Sequence, residues 1–508
     1  MIEIRNVEIF SDGKEGEFCF RRGSIFLKGE SIERIVYGRP DKIPAFPYAR
    51  RLQTDAGNGC DKSYRTFDKG QEKINQIEGG KSYDDSGKAF GNGQEKNLRI
   101  DGVKSYADEG NASGKGRENP YIIDGRCCYA IPGLIDIHLH GAAGFDFCDE
   151  SREAVQRIAE FELAHGVTSM MAATMTFPEE KLLSILKTLA DYRDWQMGGY
   201  VRESQKEDSP KRVGFLNDPT FTKAGQLGQD KADDPNSFYG DDTRPSAGAE
   251  LVGINMEGPF ISREKQGAQD GRFIRDCDLG LFRSFMEAAR GLVKIMGLAP
   301  EKKGALDFID RISRDVIVSL AHSDASYEEA MAAFRNGARH VTHLYNAMRP
   351  FQSREPGIIG AAADCENVMA ELICDGIHVH PATVRSSFRM LGPGRIILIS
   401  DSMRATGLGD GEYTLGGQAV IVKGKKALLK RKEAIAGSVS TLFDCLVTVV
   451  KEMGVPLEIA VAAATVNPAK RLGLLGRIGH IREGMQGDIL LLDRDLNLKM
   501  VVKKGKMS

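Results

Sequence analysis

The chain has 508 residues, with 69 basic and 71 acidic side chains and a net charge of −2. That balance leaves no electrostatic footprint for nucleic acid or an anionic membrane surface. A hydrophobic fraction of 41% and a charged fraction of 28% suit a globular protein with a large core, and nine scattered cysteines without C-x-x-C spacing argue against a disulfide scaffold.

The opening MIEIRNVEIF has no basic stretch leading into an apolar run, and no run approaches ~18 apolar residues, so neither a signal peptide nor a membrane span is expected. Reduced thiols and no export signal make a cytoplasmic location the expectation. Residues 1–37 read as short strands, the first part of a β-domain. Residues 38–119 change character, being rich in Gly, Lys, Asp, Ser and Asn, with loose repeats such as the Lys-Ser-Tyr triplets beginning at Lys62, Lys81 and Lys104. Such a stretch cannot bury enough apolar surface to offset its ordering entropy, and it reads as a mobile insertion.

Residues 120–405 alternate apolar runs with amphipathic ones. Eight candidate strands follow in order: GLIDIH, GVTSMMAA, LVGINMEG, LVKIMGLAPE, VIVSLAHSD, HVTHLYN, VMAELICDGIH and RIILISD. Helical patterns such as SREAVQRIAEFELAHG, SYEEAMAAFRNG and PATVRSSFRMLG separate several of them. Strand–helix alternation repeated eight times predicts an α/β fold, a TIM-type (β/α)8 barrel, with a second polar insertion near 203–249. Residues 406–508 add a helical region and strand-like pieces (EYTLGGQAVIV, GDILLLD, LNLKMVVKKG). The N- and C-terminal segments together are expected to form a small β-sandwich domain beside the barrel.

Barrel enzymes collect their reacting groups where strands end. Here the first strand ends in His138 and His140, two residues apart and so on one strand face, about 7 Å apart. The third ends in Glu257, the fifth in His322, the sixth in His343, the seventh in Asp375 and His378, and the eighth in Asp401. Five of nine histidines thus fall at strand ends, whereas His165, His340, His380 and His480 read as ordinary core or surface residues. Imidazoles with a carboxylate suit zinc, iron or manganese, and a site without cysteine suits a catalytic ion rather than a structural one. Asp401 is placed to accept a proton from water; standing alone, it would read as a helix N-cap.

The motifs IPGLIDIHLHG, GINMEGPFISREKQGA, LAPE, SLAHSDASYEEA, HVTHLYNAMRPFQSREPGIIGA, CDGIHVHP, ISDSMRATGLGDGEYTLGG, IAGSVSTLFD and VNPAKRLGL resemble the N-acetylglucosamine-6-phosphate deacetylases of the amidohydrolase superfamily. The resemblance implies Glu257, His322 and His343 as ligands of the principal divalent metal. His138 and His140 imply a second ion, with Glu257 bridging; Asp401 matches the acid/base. It further implies that Asn346, Ala347 and Arg354 contact the sugar phosphate and that His378 binds the sugar. Ile435, Ala436 and Gly437 would close the pocket, and the chain would be a homodimer acting on a small sugar phosphate. Where the family usually has a histidine beside the substrate amide, this chain has Ala268-Gln269, and glutamine cannot carry a proton.

The activity implied is release of acetate from N-acetylglucosamine 6-phosphate. Rival readings are an N-acetylgalactosamine-6-phosphate deacetylase, a cyclic amidase or deaminase of the same superfamily, and a catalytically silent assembly subunit. One expectation is testable at once. Limited proteolysis should nick residues 38–119, and their excision with a short linker should leave a metal-binding, active core; loss of activity on clean excision would refute it.

Overall fold

A computed structural model describes residues 1–13, 17–38, 105–106, 121–198, 248–431 and 434–508. The polar stretches expected at 38–119 and 203–249 lie outside the described residues, apart from 38, 105–106 and 248–249.

All eight expected barrel strands form. They are Leu134–Leu139, Val167–Thr174, Glu250–Glu257, Val293–Leu298, Ile317–Leu320, His340–Val341, Met369–Ile373 and Ile396–Ile399, here barrel strands 1 to 8. Each pairs in parallel with its sequence neighbour. Strand 8 returns beside strand 1, where the Asp401 N–H donates to the His138 carbonyl at 2.9 Å. Strands 1, 2, 3, 7 and 8 are buried along their whole length, as expected where helices cover a parallel sheet, and this explains their near-continuous apolar runs. The three helical patterns become Arg152–Ala164, Tyr327–Arg335 and Pro381–Leu391. Their starts are fixed by caps: Ser151 accepts from Ala154 N, and Ser326 and Glu329 form a reciprocal capping box.

The two chain ends meet in one nine-stranded sheet. Ile2–Asp12 lies within it, parallel to Tyr129–Pro132, which pairs antiparallel with Ile489–Leu492. Gly133 alone separates that sheet from barrel strand 1, and a Cβ there would lie 2.2 Å from Thr168 Oγ1, so the crossing admits only glycine. Two details differ from the sequence reading. Ser105–Tyr106, within the stretch assigned to the insertion, pairs antiparallel with Ile122 and Ile123. EYTLGGQAVIV turns back at Gly416-Gly417, both at positive φ, and forms a separate three-stranded sheet, Gly411–Leu415, Gln418–Lys423 and Lys426–Leu429. Paired glycines that supply positive φ are the physical reason for the hairpin. Among the described residues no helix is long and apolar enough to cross a membrane.

Glu250, at the start of barrel strand 3, is 2% exposed and joins the barrel to the terminal sheet. Its Oε1 accepts from Arg193 at 3.0 Å and Arg477 at 2.7 Å, and Lys503 and Lys504 stand 4.0 and 3.8 Å from Oε2. Burial alone would raise its pKa, but Lys503, Arg477 and Arg193 outweigh burial and bring it down to about 2. A depressed carboxylate stabilises the fold fully above its unfolded value, 4.5, and loses that contribution as pH falls toward about 2. Glu250→Gln should therefore cost about 3 kcal/mol at neutral pH, with the gap to wild type closing as pH drops below about 4.5, read by denaturant unfolding.

Candidate active site

Five side chains from four strands converge where the strands end. Glu257 is the last residue of strand 3, His138 lies in strand 1 with His140 just beyond it, and His322 and His343 follow strands 5 and 6. All five are at most 5% exposed. His322 Nε2 and His343 Nε2 stand 2.9 and 2.8 Å from Glu257 Oε1, and 3.2 Å from each other. His140 Nε2 is 3.4 Å from Glu257 Oε2, and His138 Nε2 is 3.7 Å from Oε1. Two groups that could hold a metal result, His138–His140–Glu257 and Glu257–His322–His343, and both include Glu257.

Asp401, after strand 8, faces the first of these groups, with Oδ1 3.3 Å from His140 Nε2 and 3.7 Å from His138 Nε2. It begins no helix, so the N-cap reading falls. His322, His343 and Asp401 have φ of 46°, 29° and 50°, a left-handed backbone uncommon for non-glycine residues. Each bend turns a side chain inward at the moment its strand stops.

The electrostatics follow from burial. Desolvation would raise the Glu257 carboxyl, but His322, His140 and His343 hold it well below the usual range. Desolvation would likewise lower the imidazoles. Glu371, Glu257 and Asp401 outweigh this and bring His138 up to about 9, and Asp401 with Glu257 raises His140 well above its ordinary value. Buried carboxylates so placed demand positive charge among them, from imidazolium protons or from a cation. The cation fits the donor set: His138 Nε2 is buried without a hydrogen-bond partner, and two imidazole nitrogens and one carboxylate oxygen crowd a single point.

The other expected site residues divide. Gln269 is 1% exposed, and both ends of its amide are engaged. Nε2 donates to Glu257 Oε2 and Oε1 accepts from Thr176 N, each at 2.6 Å. The Ala268 carbonyl accepts from Gln418 of the three-stranded sheet. Asn346 and Ala347 continue the loop from His343, where Asn346 N donates to His343 O at 2.9 Å and the Ala347 carbonyl accepts from Ser323 N. Gly437 runs beside Asp401, and the next residue, Ser438, donates its N–H to Asp401 O at 2.7 Å; Ala436 is buried and Ile435 exposed. His378 is half-buried and bonded through Nδ1 to Asp375 at 2.7 Å. Arg354 stands exposed, and no hydrogen bond or ion pair among the described residues ties it to the cluster.

The histidines set aside behave as ordinary residues. His165 bonds the Phe161 carbonyl, His380 caps the helix it precedes, and His480 neighbours Asp12. His340 is buried against Glu371. Sequence reasoning passed over Glu371, which is 0% exposed and bonded to His138. The available signal was a carboxylate in the middle of the apolar run VMAELIC, a position where charge is rarely buried without a partner.

Residues 221–508 match the model of the Amidohydrolase family. The chain belongs to that family. It is 33% identical over 379 residues to N-acetylglucosamine-6-phosphate deacetylase of Bacillus subtilis (strain 168), covering 74% of this chain and 84% of the relative. N-acetylgalactosamine-6-phosphate deacetylase of Escherichia coli O157:H7 is 29% identical, over 74% of this chain and 87% of its own length. Among solved structures, a mutant N-acetyl-D-glucosamine-6-phosphate deacetylase from Mycobacterium smegmatis in complex with N-acetyl-D-glucosamine-6-phosphate is similar, with 30% identity and a TM-score of 0.64 over 78% of this chain and 91% of that one. The resemblance and the barrel expected from sequence are both borne out.

Because Glu257 is common to both groups, Glu257→Gln is expected to lower bound divalent metal as well as activity. Elemental analysis of the purified variant checks this; full metal content with wild-type turnover would remove Glu257 from the site.

Proposed function

We propose that the protein is a metal-dependent deacetylase of N-acetylglucosamine 6-phosphate, releasing acetate and glucosamine 6-phosphate. The observation that carries this reading is Asp401 facing a histidine–carboxylate cluster at the strand ends of an amidohydrolase barrel, in a chain 33% identical to such an enzyme. Glu257, His322 and His343 would hold one divalent ion, and His138, His140 and Glu257 a second; zinc, iron and manganese suit these donors. An ion so held supplies Lewis acidity and lowers the pKa of water.

The protein's own groups do the rest. Burial would raise the Asp401 carboxyl, but His140 and His138 hold it below its ordinary value, so it is a carboxylate ready to accept a proton. Asp401 takes the proton of the attacking water and passes it to the amide nitrogen as the C–N bond breaks. Gln269, anchored to Thr176, donates to Glu257 Oε2 and would steady that carboxylate beside the substrate amide. Asn346, Ala347 and Arg354 would meet the phosphate, a task suited to a guanidinium fork. His378 would meet the sugar, and the 435–437 backbone would bound the pocket.

We further read the protein as a cytoplasmic homodimer without nucleic-acid or membrane partners, in keeping with the net charge of −2. The galacto epimer is the second substrate to test, on the strength of the Escherichia coli relative. Acetate release from both sugar phosphates, with metal analysis on the same preparation, separates these readings from a cyclic amidase and from a silent subunit.

Asp401→Asn tests the mechanism. The change nearly conserves volume but removes the proton acceptor. Turnover should fall by about 10² to 10⁴, with a much smaller change in binding of the sugar phosphate. Normal metal, normal binding and near-normal turnover together would remove Asp401 from the chemistry.

A further inference from the structure

Glu371 sits at the centre of barrel strand 7, Met369–Ile373, fully buried. Each of its oxygens serves two groups. Oε2 stands 2.9 Å from His138 Nδ1 and 3.1 Å from the His343 backbone nitrogen. Oε1 stands 3.1 Å from His340 Nε2 and 3.5 Å from Asn255 Nδ2. Asn255 also donates to the carbonyl of Ile137, the residue before His138, at 3.0 Å. A carboxylate only accepts, so each of these partners is the donor, and His138 carries a hydrogen on Nδ1. Nε2 then faces Glu257 Oε1 and Asp401 Oδ1, each 3.7 Å away, and with an ion supplying the positive charge there the ring would be neutral and offer the Nε2 lone pair.

We propose that Glu371 is a positioning residue that fixes the His138 tautomer and ring for an ion on the first-strand side of the site. The inference rests on the metal-dependent reading above and deepens it. A purely structural role would need Glu371 only to satisfy His340. The oxygen facing the other way is given to His138 and to the backbone of His343, one member from each half of the cluster. Through Glu371 the histidine of strand 1 and the turn after strand 6 share one buried acceptor.

Glu371→Gln is the near-isosteric test. An amide can face its oxygen toward only one pair of donors, and its NH2 then opposes the other pair. His138 is freed to carry its hydrogen on Nε2, where it blocks ligation. Affinity for the second divalent ion, measured by competition of zinc with a chromophoric chelator, should fall about 10- to 100-fold, while the first ion binds as in wild type. Turnover should fall at low zinc and recover at high zinc, with KM for the sugar phosphate unchanged. In a His138→Gln background, Glu371→Gln should cost no further zinc affinity, because the group it orients is gone.

Unchanged zinc stoichiometry and affinity in a folded Glu371→Gln chain would overturn the proposal. So would an equal loss in the His138→Gln background, or a wild-type chain that takes up one ion only. Should Glu371→Gln not fold, histidine-¹⁵N NMR of zinc-loaded wild type decides. Ligation through Nε2 with a protonated Nδ1 at His138 is expected, and ligation through Nδ1 refutes the idea. A wild-type chain that binds two ions as described but releases no acetate would sink the deacetylase reading and leave this inference standing.

Discussion

A carboxylate buried at the end of a barrel strand is costly unless positive charge or donors surround it, and Glu257 is 3% exposed. The fold meets that cost by bringing imidazoles from strands 1, 5 and 6 to its two oxygens. These residues are far apart in sequence, so the cluster exists only once the barrel has brought strands 1, 3, 5 and 6 together. Closing such long loops costs entropy that grows slowly with length, and the continuous apolar core of strands and covering helices offsets it. The polar centre is thus a consequence of barrel closure and is not separately stable.

Its geometry carries its own cost. Left-handed backbone at His322, His343 and Asp401 costs on the order of 1–3 kcal/mol each and persists only where the surroundings over-determine it. The supports are visible. Asp401 is held through its N–H by His138 and through its carbonyl by Ser438, and the His322 carbonyl accepts from Ser262 N at 2.9 Å. The next residue after His343 donates its N–H to the Glu371 carbonyl at 2.9 Å. Each bend is clamped by a backbone hydrogen bond to a neighbouring strand or loop, so the strain is shared around the rim.

What the sequence made legible was whatever a local pattern encodes. The eight strands showed as apolar runs because both faces of a parallel strand are buried, and His138, His140, Glu257, His322, His343 and Asp401 showed as polar residues ending those runs. Glu371 was missed because its partners come from strands 1, 3 and 6, and nothing in VMAELIC says which strands it faces. Gln269 was read from the resemblance as standing beside the substrate amide; that its amide also bonds Thr176 N and Glu257 Oε2 was not legible, because the pairing is made by two loops meeting in space. EYTLGGQAVIV read as one piece because the apolar alternation continues through a glycine pair whose positive φ reverses the chain.

That hairpin bears on the site through a chain of contacts. Gln418 in its second strand donates to the Ala268 carbonyl, and Gln269 Nε2 then donates to Glu257 Oε2. His322 Nδ1 lies 2.8 Å from the Lys265 carbonyl of the same loop, which fixes its ring so that Nε2 faces Glu257. From the other direction, the chain leaving the sheet passes through Gly437, where a Cβ would lie 3.2 Å from the Asp401 carbonyl. The three-stranded sheet therefore braces both the loop that orients Glu257 and the backbone that bends Asp401. Its link to Glu257 runs through the Ala268 carbonyl and its link to Asp401 through backbone alone, so a sheet that joins neither the barrel nor the terminal sheet still bears on both carboxylates.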